Sequence, residues 1–449
     1  MECGYPPRHG GAGIGSNDPG RQEEQLMQLY KAKAVITPQK PIRLAGFGHR
    51  MGNFTDVKQD IHARCLILED NSGNRTAILS VEMLCVTEKM TNCVREYLSG
   101  HYGIRPENVL LSATHNHSAP YLVRNAHPLL GEYNEEYASF LKVTIQNMID
   151  QAMKTAVPVS CSYQSTKVYL SVNRRLKVDG IVEMRPNFQG PADPDCHLLR
   201  FHHEATGALE AVLLNYACHA NITDINQVNA DYPGVLCGLI EAEHPGSAAL
   251  FLQGYTGDIR PRAVIGDEFF RGGFEMAERF GQSFYRTIRP ALGTAGETLR
   301  LDLKGAIIRR EITTVNQIAD DLSTGKDLSV EPYTSWHRLF ADRPERLYEP
   351  RILQVQALRI TEKVFLIAVN GEVVGDYARD IRAAFPDCRI LAAGYSNTLL
   401  GYLATAQQLQ EGGYESEGFL YYFGLPGKWD ASLDKTLRDS QKAAILAVK

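Results

Sequence analysis

Three histidines and a few residues much later in the chain are the side chains best placed to do chemistry. His115 and His117 stand one residue apart in THNHS (114 to 118), on the same side of an extended segment, so either can reach a metal or a substrate just beyond a strand end. His219 closes the apolar run NYACH (215 to 219), and Glu372 closes LIAVNGE (366 to 372). Two imidazoles, one carboxylate and one open position make a set suited to catalytic zinc. Each residue also has a plainer reading. The H-x-H pair serves equally as two half-exposed loop histidines, His219 as a core imidazole bonded to backbone, and Glu372 as a solvated acid after a turn glycine. Tyr402 and Tyr414 pass, from the residues alone, as packed aromatics with a bonded hydroxyl. Only the meeting of His115, His219 and a carboxylate selects the metal reading.

Competing chemistries find no support. The sequence carries no Gly-rich phosphate loop, no G-x-S-x-G elbow and no H-E-x-x-H, which removes nucleotide hydrolases, common serine esterases and zinc proteases of that type. His202 and His203 are adjacent, point to opposite faces of a strand and make a poor chelating pair. Asp231, before Tyr232 and Pro233, is expected to cap a helix.

The elements that must position these residues show one recurring arrangement. Residues 62 to 69 and 76 to 83 flank a turn at Asp70 to Gly73 and read as a hairpin, followed by a helix over about 87 to 102. Strands are expected at 109 to 113, 158 to 170, 197 to 203, 209 to 217, 248 to 253, 364 to 370 and 389 to 393. Helices are expected at 133 to 154, 233 to 243, 272 to 290, 375 to 385 and 432 to 447. Five of the strands run directly into polar loops: His115, His219, Gly254 to Pro261, Glu372 and Gly394 to Asn397. Strands ending this way place side chains in a crevice at one edge of a sheet. The fold class implied is α/β, with mixed sheets flanked by helices.

Bulk composition sets the outer limits. A chain of 449 residues with 44% hydrophobic and 22% charged residues builds a large core, and the net charge of -5, with Lys and Arg scattered, leaves no footprint for nucleic acid. Nine cysteines without a C-x-x-C pair read as reduced thiols in a cytoplasmic protein. Residues 1 to 25 are rich in Gly and Pro and are expected to form a flexible tail ahead of a single domain over 26 to 449. No apolar run approaches the roughly 20 residues that span a bilayer, so no stable membrane insertion is expected. A homo-oligomer is allowed, a dimer being the commonest form.

Taken together, the motifs resemble the neutral/alkaline ceramidase family, in order along roughly residues 35 to 425. The resemblance is carried by THNHS (114 to 118), NRR (173 to 175), NYACHANIT (215 to 223), ADYPG (230 to 234) and LQGYTGDIRP (252 to 261). NGE (370 to 372), GYLAT (401 to 405) and GGYE (412 to 415) complete it. It implies the fold of the ceramidase catalytic domain, without the C-terminal immunoglobulin-like domain of the long members. It also implies one zinc ion per chain on His115, His219, Glu372 and Tyr402, with His117, Arg174 and Tyr414 around the scissile amide. Zinc brings the pKa of a bound water toward about 7, and attack of that water on the amide carbonyl is the expected reaction. His117 is the first candidate to carry the proton to the leaving amine, and Tyr414 the second.

Departures from the family pattern redirect the substrate. Arg260 stands where these ceramidases typically carry serine, and THNHSAPYL replaces a glycine-richer stretch. Arg260, with Asp258 two residues before it, is therefore assigned to binding a small soluble amide, a guanidinium being suited to carboxylate or phosphate. The plainer reading is an ion pair between the two. The expected function is a zinc-dependent hydrolase of a linear amide in a small N-acyl metabolite. Hydrolysis of N-acylsphingosine, acyl transfer to an amine, and a non-catalytic metal-stabilised binding protein are the alternatives.

Overall fold

A computed structural model describes residues 27–124, 127–294, 296–315 and 330–449; the tail expected at 1 to 25 lies outside the described residues. Eight strands of one large sheet are β1 (Gln28–Val35), β2 (His62–Glu69), β3 (Arg75–Val81), β4 (Val109–Ala113), β5 (Val157–Lys167), β6 (Asp195–His203), β7 (Leu209–Tyr216) and β8 (Ala248–Gln253). They lie in the order β8-β7-β6-β5-β1-β2-β3-β4, and Glu297–Leu299 adds a short ninth strand against β5. A second sheet of four strands, β9 (Leu301–Ile312), β10 (Arg351–Thr361), β11 (Val364–Val369) and β12 (Arg389–Ala393), runs in simple sequence order.

Side-chain alternation decides how these layers stack. Along β2, Ala63, Cys65 and Ile67 turn toward α1 (Glu88–Tyr102) and α2 (Glu135–Ala152), meeting Leu98, Leu141 and Ile145. The intervening Leu66 and Leu68 turn the other way, toward Leu358, Leu366 and Leu391 of the second sheet. Such strands are apolar on both faces because both are covered. α3 (Asp231–Glu243) and α4 (Phe274–Gly293) cover the other half of the large sheet through Leu236, Ile240, Phe284 and Ile288. On the outer face of the second sheet, Val355, Phe365 and Ile367 pack with α5 (Asp376–Ala384) and α6 (Ser432–Val448). The result is helix, sheet, sheet, helix, with each fully buried Leu or Ile contributing about 1.5–3 kcal/mol.

Within these two sheets most neighbouring strands are antiparallel, but three pairs are parallel, and each is bridged by one helix: β3-α1-β4, β7-α3-β8 and β11-α5-β12. The first crossover shows how local sequence sets it up. The Thr87 side chain caps α1 by accepting from the Met90 amide at 3.3 Å, and Gly103 ends the helix at φ 66, a conformation glycine takes without strain. The two strands of a parallel pair point their carboxyl ends the same way, and five of these six ends, those of β4, β7, β8, β11 and β12, lead into the polar loops singled out in the sequence.

The expected elements are present with ends shifted by a few residues, and 109–113, 248–253 and 389–393 keep their predicted bounds. Unforeseen were β1, β9, β10 and the hairpin Ser171–Val178 with Ile181–Asn187, among others. Asp231 departs from its expected role. The N-cap of α3 is Ala230, without a side-chain bond, whereas Asp231 at φ 49 accepts from the amides of Ile222 at 2.9 Å and Thr223 at 3.3 Å, tying the loop after His219 to the helix.

Candidate metal centre

His115 reaches its place through a strained backbone. β4 ends at Ala113, the Thr114 amide donates to Val81 O at 2.9 Å and the Asn116 amide to Met83 O at 2.9 Å, so the chain is pinned on both sides of His115. His115 itself has φ 60, the left-handed region that an L side chain occupies only when its surroundings hold it there. Tyr395, at the end of β12, shares that conformation at φ 53 and stacks on the His115 ring with centroids 4.0 Å apart.

The protonation of the three histidines follows from their backbone partners. Nδ1–H of His115 donates to Leu84 O at 2.8 Å, that of His219 to Thr256 O at 2.9 Å and Ile259 O at 3.1 Å, and that of His117 to Gly46 O at 3.2 Å. A carbonyl only accepts, so each Nδ1 carries a proton, and in the neutral ring each Nε2 presents a lone pair. Those lone pairs face one another: His115 Nε2 lies 3.1 Å from His219 Nε2 and 3.2 Å from His117 Nε2. Glu372 Oε2 joins them at 3.2 Å from His115 Nε2 and 3.5 Å from His219 Nε2.

This donor set fits a cation. With the rings neutral, four lone-pair donors at this separation have no proton between them and repel unless a positive charge sits among them. Bonds of about 2.0–2.1 Å at tetrahedral angles would set donors about 3.3 Å apart, close to the spacings of the His115, His219 and Glu372 triangle. Charge points the same way. Burial pushes His219 down to about 3 and His117 well below its ordinary value, so neither is a cation at neutral pH. Burial acts to push the Glu372 carboxyl up, but its contacts with His115 and His219 outweigh it and hold the group well below its ordinary value, so Glu372 is ionised at neutral pH. His117 thus belongs to the donor cluster as well as to the residues expected around a scissile bond.

Glu372 and Tyr402 are register partners in a two-residue parallel ladder, Glu372–Val373 with Tyr402–Leu403, which sets them side by side. The loop after β8 closes on the same short strand: the Gly257 amide donates to Val373 O at 2.8 Å, and a Cβ on Gly257 would stand 2.6 Å from Glu372 O. The Tyr395 hydroxyl donates to Glu372 Oε2 at 3.3 Å and shares a 2.5 Å hydrogen bond with Thr256. Tyr395 was not singled out in the sequence, although GYSN follows its strand just as GYTGD follows β8.

Arg174 enters from the unforeseen hairpin. A register shift between Asn173 and Arg175 lets two consecutive arginines reach the same carboxylate, Arg174 Nε at 2.6 Å and Arg175 Nη1 at 2.7 Å from Glu415. Glu415 follows Tyr414 in a short π-helical turn, Tyr414–Gly418. The Arg174 guanidinium carbon lies 5.2 Å from the Tyr402 ring centre and 5.5 Å from that of Tyr414. Burial raises the Tyr414 phenol above its ordinary value, so it keeps its proton at neutral pH.

The two residues assigned to substrate separate. Asp258 is buried with both oxygens engaged, Oδ1 by the Gly375 amide at 2.8 Å and Oδ2 by Asn173 at 3.3 Å and Gln408 at 3.1 Å. It works as a clamp between the hairpin and the Glu372 region, and it forms no ion pair with Arg260. Arg260 is 3% exposed, with its guanidinium 4.3 Å from the Phe269 ring centre. It follows Ile259, whose carbonyl holds His219.

Comparison with known proteins places the chain. Residues 32–268, over half of its length, match the family described as neutral/alkaline non-lysosomal ceramidase, N-terminal, and the chain belongs to that family. Among its relatives are the neutral ceramidases of Drosophila melanogaster and Drosophila pseudoobscura pseudoobscura, each 26% identical over 249 residues. That alignment takes in 52% of this chain and 33% of theirs, so it spans a third of the length of these relatives. Among solved structures, the neutral ceramidase from Pseudomonas aeruginosa superposes with a TM-score of 0.75 at 18% identity, covering 94% of this chain and 75% of that one. A ceramidase complexed with C2 gives 0.74 at 16% identity with the same coverage. The fold is that of the neutral ceramidases.

Proposed function

We propose that this chain is a metal-dependent hydrolase that cleaves the carbon–nitrogen bond of an amide in a small, soluble N-acyl compound. The observation that carries the reading is the convergence of the Nε2 lone pairs of His115, His117 and His219 on Glu372 Oε2. His115, His219 and Glu372, with Tyr402 beside them, would hold the ion, and two imidazoles with one carboxylate favour zinc. A cation there supplies polarisation of the amide carbonyl and activation of water at neutral pH.

The remaining residues do the proton and charge work. Arg174, held against Tyr402 and Tyr414, brings positive charge to the oxygen that becomes anionic as the carbonyl turns tetrahedral. The protonated Tyr414 phenol donates a hydrogen bond to that same oxygen. Neutral His117 has a free Nε2 lone pair at the cluster; it takes a proton there as attack proceeds and returns it to the departing nitrogen. Arg260 sets the preference for a soluble substrate, since a buried guanidinium beside the site is a poor neighbour for two alkyl chains. Family membership favours the second reading, hydrolysis of N-acylsphingosine.

Two measurements test the proposal. The purified chain is expected to carry one equivalent of zinc, and His115→Ala and His219→Ala each to lose most of it; full zinc in both variants would overturn the site. Turnover of a soluble N-acyl amide should exceed that of a fluorescent ceramide. The reverse order would replace the first reading with the second.

A further inference from the structure

Arg260 and Arg271 are two guanidiniums beside the histidine cluster. Arg260 Nε and Arg271 Nε are both buried and without a hydrogen-bond partner. Among the described residues neither Arg260 nor Arg271 forms an ion pair; each is held instead by an aromatic face. Arg260 lies 4.3 Å from the centre of Phe269, and Arg271 lies 5.1 Å from that of Phe47. Phe47 in turn stands 4.9 Å from the His117 ring, which brings Arg271 to the edge of the cluster.

The backbone fixes both arginines to the loops that build the centre. Arg260 sits in the strand Ile259–Pro261, opposite Val172 of the hairpin that carries Arg174. Arg271 precedes Gly272, whose amide donates to Ile222 O at 3.1 Å, three residues past His219. Burial, and then the charges of Arg271 and Arg174, bear against the charged form of Arg260. The nearest acid by its influence on Arg271 is Asp224, but it faces His49 at 3.7 Å and its charge is shared with Arg50. Guanidiniums gathered this closely without an acid are costly to bury unless a ligand completes them.

We propose that Arg260 and Arg271 form a subsite for an oxyanion, carboxylate or phosphate, borne by the substrate on the far side of its scissile amide. Phe269 and Phe47 hold the two guanidiniums flat, leaving their in-plane N–H groups to meet the anion. This rests on the amidase reading for the identity of the ligand as a substrate, whereas the anion site itself stands on the arginines alone.

The test pairs charged amides with neutral partners: N-hexanoylglycine against its methyl ester, and N-hexanoyl-O-phosphoethanolamine against N-hexanoylethanolamine. On the zinc-loaded chain the charged member of at least one pair is expected to have a KM ~10-fold or more below its partner, and the pair with the larger ratio identifies the oxyanion. Arg260→Met should raise that KM ~10- to 100-fold and bring the KM ratio between the charged substrate and its neutral partner toward one, with the full equivalent of zinc retained. It should not lower the melting temperature, as loss of a structural arginine would. Arg271→Met, at a half-buried position, should act in the same direction and keeps the test open if Arg260→Met fails to fold. Equal KM values within both pairs, or charged-substrate KM values unmoved by both variants, overturn the subsite. Should no amide be cleaved, the hydrolase reading falls, and calorimetry with inorganic phosphate and N-hexanoylglycine decides the subsite separately. Binding weakened at least 10-fold by either variant supports it, and binding indifferent to both overturns it.

Discussion

Gly46→Ala separates the two parts His117 can play, proton carrier or metal ligand. Gly46 has φ 98, and a Cβ built there stands 2.5 Å from His117 Nδ1 and 2.8 Å from its Cγ. Ordinary van der Waals contact begins at 3.4 Å, so the ring must retreat by about 0.9 Å, and the methyl group sits against the same Nδ1–H that donates to Gly46 O at 3.2 Å. A left-handed alanine costs about 1–2 kcal/mol, a melting shift of a few degrees that the large core can absorb. Displacing a proton-transfer group by about 1 Å costs ~100-fold in rate, within the ~100- to 10,000-fold that positioned acid–base catalysis contributes. The expected result is kcat/KM for a soluble N-acyl amide reduced ~100-fold with a full equivalent of zinc retained, read by steady-state kinetics and elemental analysis on the same preparation. Activity within a factor of two of the parent refutes the placement of His117 at the reacting bond. Loss of zinc would instead make His117 a ligand, displacing Tyr402 from that part.

Three further outcomes are expected. Tyr395→Phe removes the hydroxyl that orients Glu372 Oε2 at 3.3 Å, and zinc affinity measured by competition with a chelator should fall ~10- to 100-fold; an unchanged affinity would rule out that role. Glu415→Ala leaves Arg174 and Arg175 buried without their shared carboxylate and should lower unfolding free energy by about 3–5 kcal/mol, while a loss below 1 kcal/mol would mean the pair is not held as described. Burial raises Asp258 from 3.8 to about 6, so the folded state binds its proton more tightly than the unfolded chain. The stability this confers is complete below about pH 4 and disappears as pH rises through 6. Relative to Asp258→Asn, the parent should therefore lose about 3 kcal/mol between pH 4 and 7 in denaturant titrations; parallel curves would contradict it.

What the sequence disclosed about this site was the punctuation of its strands. β4, β7, β8, β11 and β12 are short apolar runs that stop at polar residues, and those stops hold His115, His219, Arg260, Glu372 and Tyr395. Period and turn chemistry are local, so they survive reading one segment at a time. Pairing is not local: nothing in LIAVNGE or GYLAT says that Glu372 and Tyr402 are register partners. β9 escaped notice because one of its faces is largely solvated, and its run of Arg309, Arg310 and Glu311 interrupts the apolar signal. Arg271 and Phe47 sit in loops without a motif, and only the folded chain shows them flanking His117. The ion pair weighed between Asp258 and Arg260 fails for a similar reason. Neighbours in sequence were separated by Gly375, Asn173 and Gln408, which arrive from three distant segments to take both carboxylate oxygens.

His115 leaves the large sheet and Glu372 the small one, more than 250 positions apart in the chain, yet their donor atoms stand 3.2 Å from each other. An ion gripped by both is a reversible staple between two halves that fold from distant stretches of polypeptide. By the chain-entropy relation for a covalent tie across a loop of that size, such a staple is worth on the order of 5 kcal/mol. Metal occupancy then reports more than readiness to react. Stripping such an ion would loosen the seam where the sheets meet, so hydrogen exchange along β4 and β11 should quicken together, and late docking of the sheets during refolding should become the step that metal concentration controls.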